Sequence, residues 1–235
     1  MIITFDGASC TGKSTLAKLV AKRLGFNFMN SGMIYRAVTY YLLSKNITPN
    51  DTNKIDKVLD DVRIAVNFES NTQYVFINDE ECGIYASELS VTKNVSQFSQ
   101  NLKLRLIIEK VQRDFAQSNN CVFEGRDLGS VVFPNADYKF YVVCNIDIRA
   151  ERRYADLKND NPNITLQEVK KMLNDRDYND IHRKVSPLVK PTDSIVIDTS
   201  FDTVEESVNK IISYIIWRFV WMHRRYVQAK LKVIH

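Results

Sequence analysis

Apolar and polar positions at the start of the chain follow two periodicities, one typical of strands and one typical of helices. Ile2–Asp6 is an apolar run of strand length. Ser14–Leu24 then places apolar residues at helical spacing, and Gly25 is a suitable helix stop. The same pattern predicts a short second strand at Phe26–Met29 and a second helix at Met33–Leu43. The chain therefore opens as an α/β unit.

A different pattern follows in the middle of the chain. Arg63–Phe68 and Gln73–Ile77 alternate with period two around a polar turn, which predicts an inserted antiparallel hairpin. Strands and helices then alternate again. The predicted helices are 102–115, 148–158, 165–180 and 204–226 or beyond, and the predicted strands are 121–124, 138–143 and 194–198. We therefore expect a parallel sheet with helices on both faces.

Composition and charge narrow the class of protein. Of the 235 residues, 45% are hydrophobic and 26% are charged, as in an ordinary soluble globular domain. Residues 204–235 carry six cationic and two acidic side chains, a surplus that equals the net charge of +4. The remainder is neutral, which argues against a nucleic-acid-coating protein. The N-terminus has no secretory pattern, and the four cysteines form no CxxC pair, so we expect a cytoplasmic protein with buried thiols.

A phosphate-binding motif lies between the first strand and the first helix. Residues 7–14 read GASCTGKS and fit G-x-x-x-x-G-K-[ST]. Backbone N–H groups of such a loop, together with the helix N-terminus, favour phosphate oxygens. We assign the ATP site to Gly7, Ala8, Ser9, Cys10, Thr11, Gly12, Lys13, Ser14 and Thr15.

Two side chains of this motif carry predicted chemical roles. Lys13 supplies a positive charge to the transferring phosphoryl group, and the Ser14 hydroxyl is a magnesium ligand. We expect Lys13 to be a solvent-facing loop residue that contributes little to packing.

Four further segments suggest an anionic acceptor. Asn30–Arg36 is expected to place a hydroxyl and an arginine beside a tight turn. Gly125–Gly129 follows an apolar strand, at the end where open α/β sheets bind ligands. Two charged helices supply the other segments, with cations at Arg149, Arg152, Arg153, Arg176 and Arg183.

Each of these charged helices permits two interpretations. Arg176, Asp180 and Arg183 can share one helical face, which is either a solvated, salt-bridged surface or part of a site. Arg149, Arg152 and Arg153 also share a face, where like charges repel unless an anion lies between them.

The chain resembles the bacterial cytidylate kinase family at these segments. The matching stretches are FDGASCTGKST, NSGMIYRA, NVSQ with a following arginine, GRDLGSVVFPNAD, RAERRY and RDYNDIHRKVSPL. They occur in the family's order up to about Tyr214. The resemblance implies a P-loop kinase fold that transfers a phosphoryl group from ATP to CMP or dCMP with Mg²⁺, without a general base.

The resemblance also implies residue roles on the acceptor side. The acceptor phosphate would be held by Ser31, Arg36, Arg126 and Arg176. The sugar would be held by Asp180 and Arg183. The pyrimidine would be held by Ser96, Arg105 and Asp127. A lid over ATP would contribute Arg149, Arg152 and Arg153. The three lid arginines, together with Lys13 and Arg126, would be the catalytic cations.

The implied organisation is a kinase domain at 1–214 and a basic, aromatic helical extension at 215–235. Within the domain, an antiparallel monophosphate-binding insert spans about 62–98 and a short helical lid about 149–163. We expect a monomer whose partners are ATP, CMP and dCMP, with no nucleic-acid partner.

Two positions and one short stretch depart from the family pattern. Asn30 and Glu124 stand where aspartate is usual, and 84–88 lacks the arginine of an EIRT-like stretch. These departures leave the phosphate-loop chemistry intact and bear on substrate preference and turnover.

The extension permits two interpretations. Residues 211–222 are too short and too interrupted for a membrane span. The segment either packs an aromatic helical face on its own core or docks on anionic lipid or a partner.

Two other functions stay open on sequence grounds. One is a kinase of the same fold acting on a different monophosphate or other small acceptor. The other is a regulatory protein that binds ATP without transfer, against which the retained Lys13, Ser14 and lid arginines argue.

Overall fold

The computed structural model describes residues 1–69, 72–159 and 161–217. In chain order the described strands are β1 (Ile2–Gly7), β2 (Asn27–Asn30), β3 (Ile64–Glu69), β4 (Thr72–Ile77), β5 (Glu80–Glu81), β6 (Cys121–Glu124), β7 (Tyr138–Val143) and β8 (Ile195–Asp198). The described helices are α1 (Lys13–Leu24), α2 (Ser31–Ser44), α3 (Thr52–Asp60), α4 (Leu89–Phe98), α5 (Leu102–Ser118), α6 (Ile146–Lys158), α7 (Leu166–His182) and α8 (204–217).

The main sheet has the strand order β2-β6-β1-β7-β8, and all four neighbouring pairs are parallel. The predicted α/β fold with a parallel sheet is therefore confirmed. The predicted elements that fall on described residues agree with the structure to within a few residues. The predicted continuation of the last helix beyond 217 lies outside the described residues.

Helices cover both faces of this sheet because successive strand residues point to opposite sides. Val122 of β6 packs with Phe5 of β1 and Val20 of α1 in the core that α8 also joins. Phe123, the next residue, packs on the other side with Leu42 of α2 in a core that also includes α5. The expectation of helices on both faces is confirmed.

A second, antiparallel sheet has the order β3-β4-β5 and corresponds to the predicted hairpin. The short β5 and the helices α3 and α4 were not predicted from the periodicity. Gln73 of β4 fastens this sheet to the end of β2. The Asn30 N–H donates to Gln73 Oε1 at 2.7 Å, and Gln73 Nε2 donates to the Asn30 carbonyl at 3.3 Å.

The helices α6 and α7 form a small unit beside the phosphate loop. Ala150 of α6 packs with Val169 and Leu173 of α7, and Cys10 of the loop lies against this cluster. The predicted lid, 149–163, covers most of α6 and the connection to α7. Among the helices of the described ranges, none is long and apolar enough to cross a bilayer.

Candidate active site

The phosphate loop has a backbone that only glycine permits at its start. Gly7 has φ 149°, and a Cβ there would lie 2.2 Å from the carbonyl oxygen of Val142 on β7. Gly12 has φ 82° and precedes α1 as its N-cap, and no described side chain caps the first N–H groups of that helix. Ser14 and Thr15 are exposed in its first turn. The loop therefore offers free N–H donors to an anion.

Lys13 is buried, so the expectation of a solvent-facing loop lysine was wrong. It is the first residue of α1 and only 4% exposed. Its Nζ donates to the carbonyl of Ala8 at 2.8 Å and lies 3.4 Å from Oε1 of Glu124 at the end of β6. Burial and then Arg126 lower the pKa of Lys13 to about 8, against the opposing effect of Glu124. An ammonium held in this way interacts strongly with an incoming phosphate.

Asp6, at the end of β1, holds the loop that follows β6. Its two carboxylate oxygens accept from the N–H groups of Leu128 at 2.9 Å and Gly129 at 2.7 Å. Burial raises the pKa of Asp6 to about 7, although these two donors act to lower it. Asp6 therefore fixes the position of the segment that carries Arg126 and Asp127.

Two arginines near the loop have no acceptor among the described residues. Arg36 of α2 and Arg176 of α7 are half-buried, and neither guanidinium makes a hydrogen bond or ion pair with another described residue. Burial and then nearby positive charge lower the pKa of both, and Arg126 contributes to each shift. Cations that are desolvated and mutually repelled in this way form a site for an anion.

Arg126 lies between the loop and α7. Its Nε donates to Asp180 at 2.9 Å, and its Nη2 donates to Ser9 Oγ at 3.2 Å. Burial acts to lower the pKa of Arg126, but Asp180 and Glu124 outweigh this effect and raise it. Arg126 is thus a permanent cation fixed beside the phosphate loop.

Ser31 begins α2, so the tight turn expected at this segment was wrong. Asn30 caps the helix by accepting from the Met33 N–H at 3.0 Å, a role that asparagine performs as well as aspartate. Ser31 is 5% exposed, and its Oγ accepts from Nε2 of Gln112 on α5 at 2.5 Å. The departure at Asn30 therefore preserves the helix start that positions Ser31 and Arg36.

A buried network joins three residues predicted to contact the sugar and base. Asp127 Oδ2 accepts from Arg105 Nη2 at 2.5 Å, and Asp127 Oδ1 accepts from Arg183 Nη2 at 3.2 Å. The Arg105 guanidinium lies 5.3 Å from the ring centroid of Tyr35, and burial raises the pKa of that phenol. Ser96, on α4, is half-buried, and its carbonyl accepts from Ser99.

The charged face of α7 is buried, which excludes the interpretation as a solvated surface. The Arg183 and Asp180 side chains are 6% and 9% exposed, and Arg183 Nη1 lies 3.9 Å from Asp180 Oδ1. Arg183 is the C-cap of the helix rather than part of its interior. The face is turned toward the phosphate loop and the segment after β6.

The three arginines of α6 have separate acceptors, so no shared anion is needed to hold them. Arg149 donates to Asp177 of α7, and Arg152 Nη2 donates to the Thr199 carbonyl at 2.8 Å. Arg152 is also close to the loop, because a Cβ at Gly12 would lie 3.7 Å from its Nη1. Arg153 lies 3.8 Å from Asp156 on its own helix, and no contact with the phosphate loop brings it into the described site.

Several residues of the site were missed on sequence grounds. Asp6, Gln73, Gln112 and Asp177 each hold a predicted site residue or its loop through a hydrogen bond. Gln112 follows Arg105 by two helical turns on α5, and Asp177 precedes Asp180 by three positions on α7. Helical spacing from an assigned residue was the available signal for both.

The geometry defines a P-loop kinase. Parallel strands carry a phosphate loop at their carboxyl ends, and a cluster of cations lies beside that loop where a second phosphate can bind. The chain belongs to the cytidylate kinase family, whose sequence model matches residues 3–216. The recognition made from the sequence motifs is therefore confirmed.

Curated relatives cover nearly the whole chain. A cytidylate kinase of Clostridioides difficile is 37% identical over 215 residues, which are 92% of this chain and 98% of the relative. One from Streptococcus gordonii is 39% identical over 214 residues, or 91% of this chain and 93% of the relative. A solved structure of an uncharacterized protein from Eubacterium ventriosum aligns with a TM-score of 0.51 at 11% identity, covering 92% and 98% of the two chains. That likeness concerns the fold alone.

Proposed function

We propose that this chain transfers the γ-phosphoryl group of ATP to CMP or dCMP, giving ADP and CDP or dCDP. The observation that carries the proposal is the pair of half-buried guanidiniums, Arg36 and Arg176, without a described protein acceptor. They lie in the same electrostatic cluster as Lys13 and Arg126, next to a loop suited to a triphosphate. The arrangement brings two phosphates together, which is the main requirement of phosphoryl transfer.

The donor side of the proposed site consists of the phosphate loop and α6. Residues 7–15 bind the ATP phosphates through the backbone N–H groups other than that of Ser9, which donates to Asp177. Lys13 stabilises the charge that develops on the transferred group. Arg149 and Arg152 of the proposed lid add two cations over the loop, and Arg153 joins them only if the lid moves on ATP binding.

The acceptor side of the proposed site has three parts. Ser31, Arg36, Arg126 and Arg176 hold the monophosphate, because arginine forks match phosphate oxygens bidentately. Asp180 and Arg183 contact the sugar. Ser96, Arg105 and Asp127 contact the pyrimidine, and the insert at 62–98 encloses it.

The donor set also fits magnesium. In the described part of the chain, no group of three or more His, Cys, Asp or Glu side chains could hold a metal ion by itself. Mg²⁺ commonly keeps its waters and uses one or two protein oxygens with substrate phosphates. The exposed Ser14 hydroxyl would contribute such an oxygen. The carboxylate nearby is that of Glu124, which lies beside Lys13. When bound with ATP, the ion would neutralise phosphate charge.

The acceptor can be tested directly. A coupled assay of ADP release should be run with CMP, dCMP, UMP, AMP, GMP and shikimate. We expect the highest kcat/KM with CMP or dCMP. A higher value with shikimate or a purine nucleotide would overturn the proposal, and ATP binding without ADP release from any acceptor would indicate a regulatory protein.

The pKa of Lys13 predicts how activity with ATP depends on pH. Because this pKa is lowered to about 8 in the free protein, the ammonium loses its charge as the pH rises through 8. With CMP kept well below saturation, so that the free protein is the reacting form, kcat/KM for ATP should fall above pH 8, approaching about tenfold per pH unit if only the charged form reacts. Between pH 7 and 7.5 it should fall by less than about a fifth, because most of the Lys13 side chains still carry their charge there. A profile that stays flat to pH 9.5 would contradict this assignment.

Removal of most of the C-terminal extension, residues 219–235, should leave catalysis intact. Described residues 204–217 pack on the main sheet, where Ile211 and Ile215 are buried and the Tyr138 hydroxyl donates to the Ile215 carbonyl. The remaining residues, 218–235, lie outside the described structure. Deleting 219–235 should change kcat and KM for CMP by less than about threefold, because no nucleotide contact is assigned there.

Flotation of the full-length and truncated proteins with anionic liposomes distinguishes the two interpretations of the extension. Flotation of the full-length protein alone would support lipid docking.

A further inference from the structure

Two buried carboxylates project from one face of α7, and each holds a different arginine. Asp177 and Asp180 are 9% and 6% exposed and are three positions apart. Asp180 accepts from Arg126, which is proposed to bind the acceptor phosphate. Asp177 Oδ2 accepts from Arg149 Nη1 at 2.5 Å, and Arg149 is proposed to bind ATP. The helix therefore holds one cation for each substrate.

Ser9 of the phosphate loop contacts all of these groups except Asp180. Its N–H donates to Asp177 Oδ1 at 3.2 Å, and its carbonyl accepts from Arg149 Nη1 at 3.1 Å. Its hydroxyl accepts from Arg126 Nη2 at 3.2 Å. One carboxylate, that of Asp177, thus fixes both the loop backbone and the arginine that lies against it.

The contacts of Arg149 leave part of its guanidinium available to a ligand. Nε donates to the Cys144 carbonyl at 3.1 Å, and Nη1 donates to Ser9 and Asp177. No acceptor among the described residues contacts Nη2, which has two N–H donors. A guanidinium fixed through one nitrogen edge can direct its other donors at a phosphate with little further loss of side-chain entropy.

We propose that Asp177 is a positioning residue for the donor nucleotide, which orients Arg149 and the Ser9 segment of the phosphate loop toward the ATP phosphates. The inference rests on the proposed function, because Arg149 is assigned to ATP there. It assigns Asp177 no contact with either substrate. It also separates the roles of the two acidic residues, since Asp180 acts on the acceptor side through Arg126.

Packing alone already attaches α7 to the loop, so the ion pair is not required for that attachment. Val169 and Leu173 pack with Ala150, and Cys10 of the loop packs against this cluster. Loss of one charge from a buried ion pair can cost about 3–5 kcal/mol when the other charge is left without a partner. Asp177→Asn limits this cost, because it keeps the shape of the side chain and one of the two oxygen acceptors, and Arg149 retains its two carbonyl acceptors. We therefore expect the variant to fold.

The inference is tested by calorimetric titration of the full-length protein with MgATP and, separately, with CMP. Asp177→Asn should weaken MgATP binding by about tenfold, because an oriented charge-assisted contact is lost. CMP binding should change by less than about twofold. Asp175→Asn, which removes an exposed acidic residue from the same helix, is the matched control and should change neither affinity.

A double-mutant cycle shows whether Asp177 acts through Arg149. In an Arg149→Ala background, Asp177→Asn should weaken MgATP binding by less than about threefold further, because only its contact with the Ser9 N–H then remains. Additive effects, equal loss of affinity for both nucleotides, or unchanged MgATP binding would each overturn the inference. The binding measurement needs no turnover of CMP. A wild-type protein that binds MgATP but does not phosphorylate CMP would contradict the proposed function while still testing Asp177.

Discussion

Replacement of Lys13 by alanine is expected to lower kcat by at least about two orders of magnitude, because it removes a charge directed at the transferring phosphoryl group. The structure gives this expectation a geometric basis. The Lys13 ammonium is held by the Ala8 carbonyl and faces Glu124, so it is oriented before ATP binds. An oriented charge in a poorly solvated site needs little reorganisation during the reaction.

The same contacts require a stability control for the Lys13 variants. Lys13 is buried, and its removal leaves Glu124 with Arg126 at 3.8 Å as its remaining described ion-pair partner. Lys13→Met keeps most of the side-chain volume and should have the same kinetic effect with less loss of packing. Lys18→Ala, at an exposed position of α1, should be neutral. Steady-state kinetics and thermal unfolding of the three variants provide the comparison. Near-normal turnover by folded Lys13→Met would contradict the assignment of the phosphate loop.

The main sheet could be predicted from the sequence because its strands are short, apolar and separated by helical periods. Cys121–Glu124 and Tyr138–Val143 were recognised with the bounds that the structure has. The phosphate loop was equally clear, because its glycines and its position between a strand and a helix are local features. Local patterns of this kind need no knowledge of distant contacts.

The burial of charged residues could not be predicted in the same way. Lys13 is buried beside Glu124 and Arg126, which are distant in sequence and lie at and just after the end of β6. The polar face of α7 resembles a solvated surface in sequence, yet it packs on a phosphate loop that is itself polar. Hydrophobic periodicity identifies faces that avoid water and gives no signal for a polar face whose partner is another polar surface. Asp177 was missed for this reason.

Base selection is expected to depend on Asp127, whose carboxylate is already held by two arginines. Each carboxylate oxygen has two lone pairs, so contacts with Arg105 and Arg183 leave further acceptor capacity. A cytosine amine would donate to this carboxylate, whereas uracil would present a carbonyl to it. Such an unpaired contact costs about 1–3 kcal/mol, so we expect wild type to prefer CMP over UMP by roughly ten- to hundredfold in kcat/KM.

The substitution that tests this role should leave as few buried arginines unpaired as possible. Asp127→Ala would leave Arg105 and Arg183 buried without their carboxylate, which can cost about 3–5 kcal/mol of stability. Asp127→Asn keeps an oxygen acceptor for one of the two arginines and adds an N–H₂ group that can donate to uracil. The kcat/KM for CMP should therefore fall sharply while that for UMP changes much less, so that the preference narrows.

The control must weaken acceptor binding without touching the base. Arg36→Lys removes a fork proposed to hold the phosphate that CMP and UMP share, so it should lower kcat/KM for both nucleotides by the same factor. Measurement of kcat/KM for CMP and UMP in wild type and both variants then separates loss of the phosphate contact from loss of base recognition. If the ratio of kcat/KM for CMP to kcat/KM for UMP is the same in Asp127→Asn as in Arg36→Lys, Asp127 does not contact the base. Its role would then be to hold Arg105 and Arg183 in place, and selection of cytosine would rest on those arginines and Ser96.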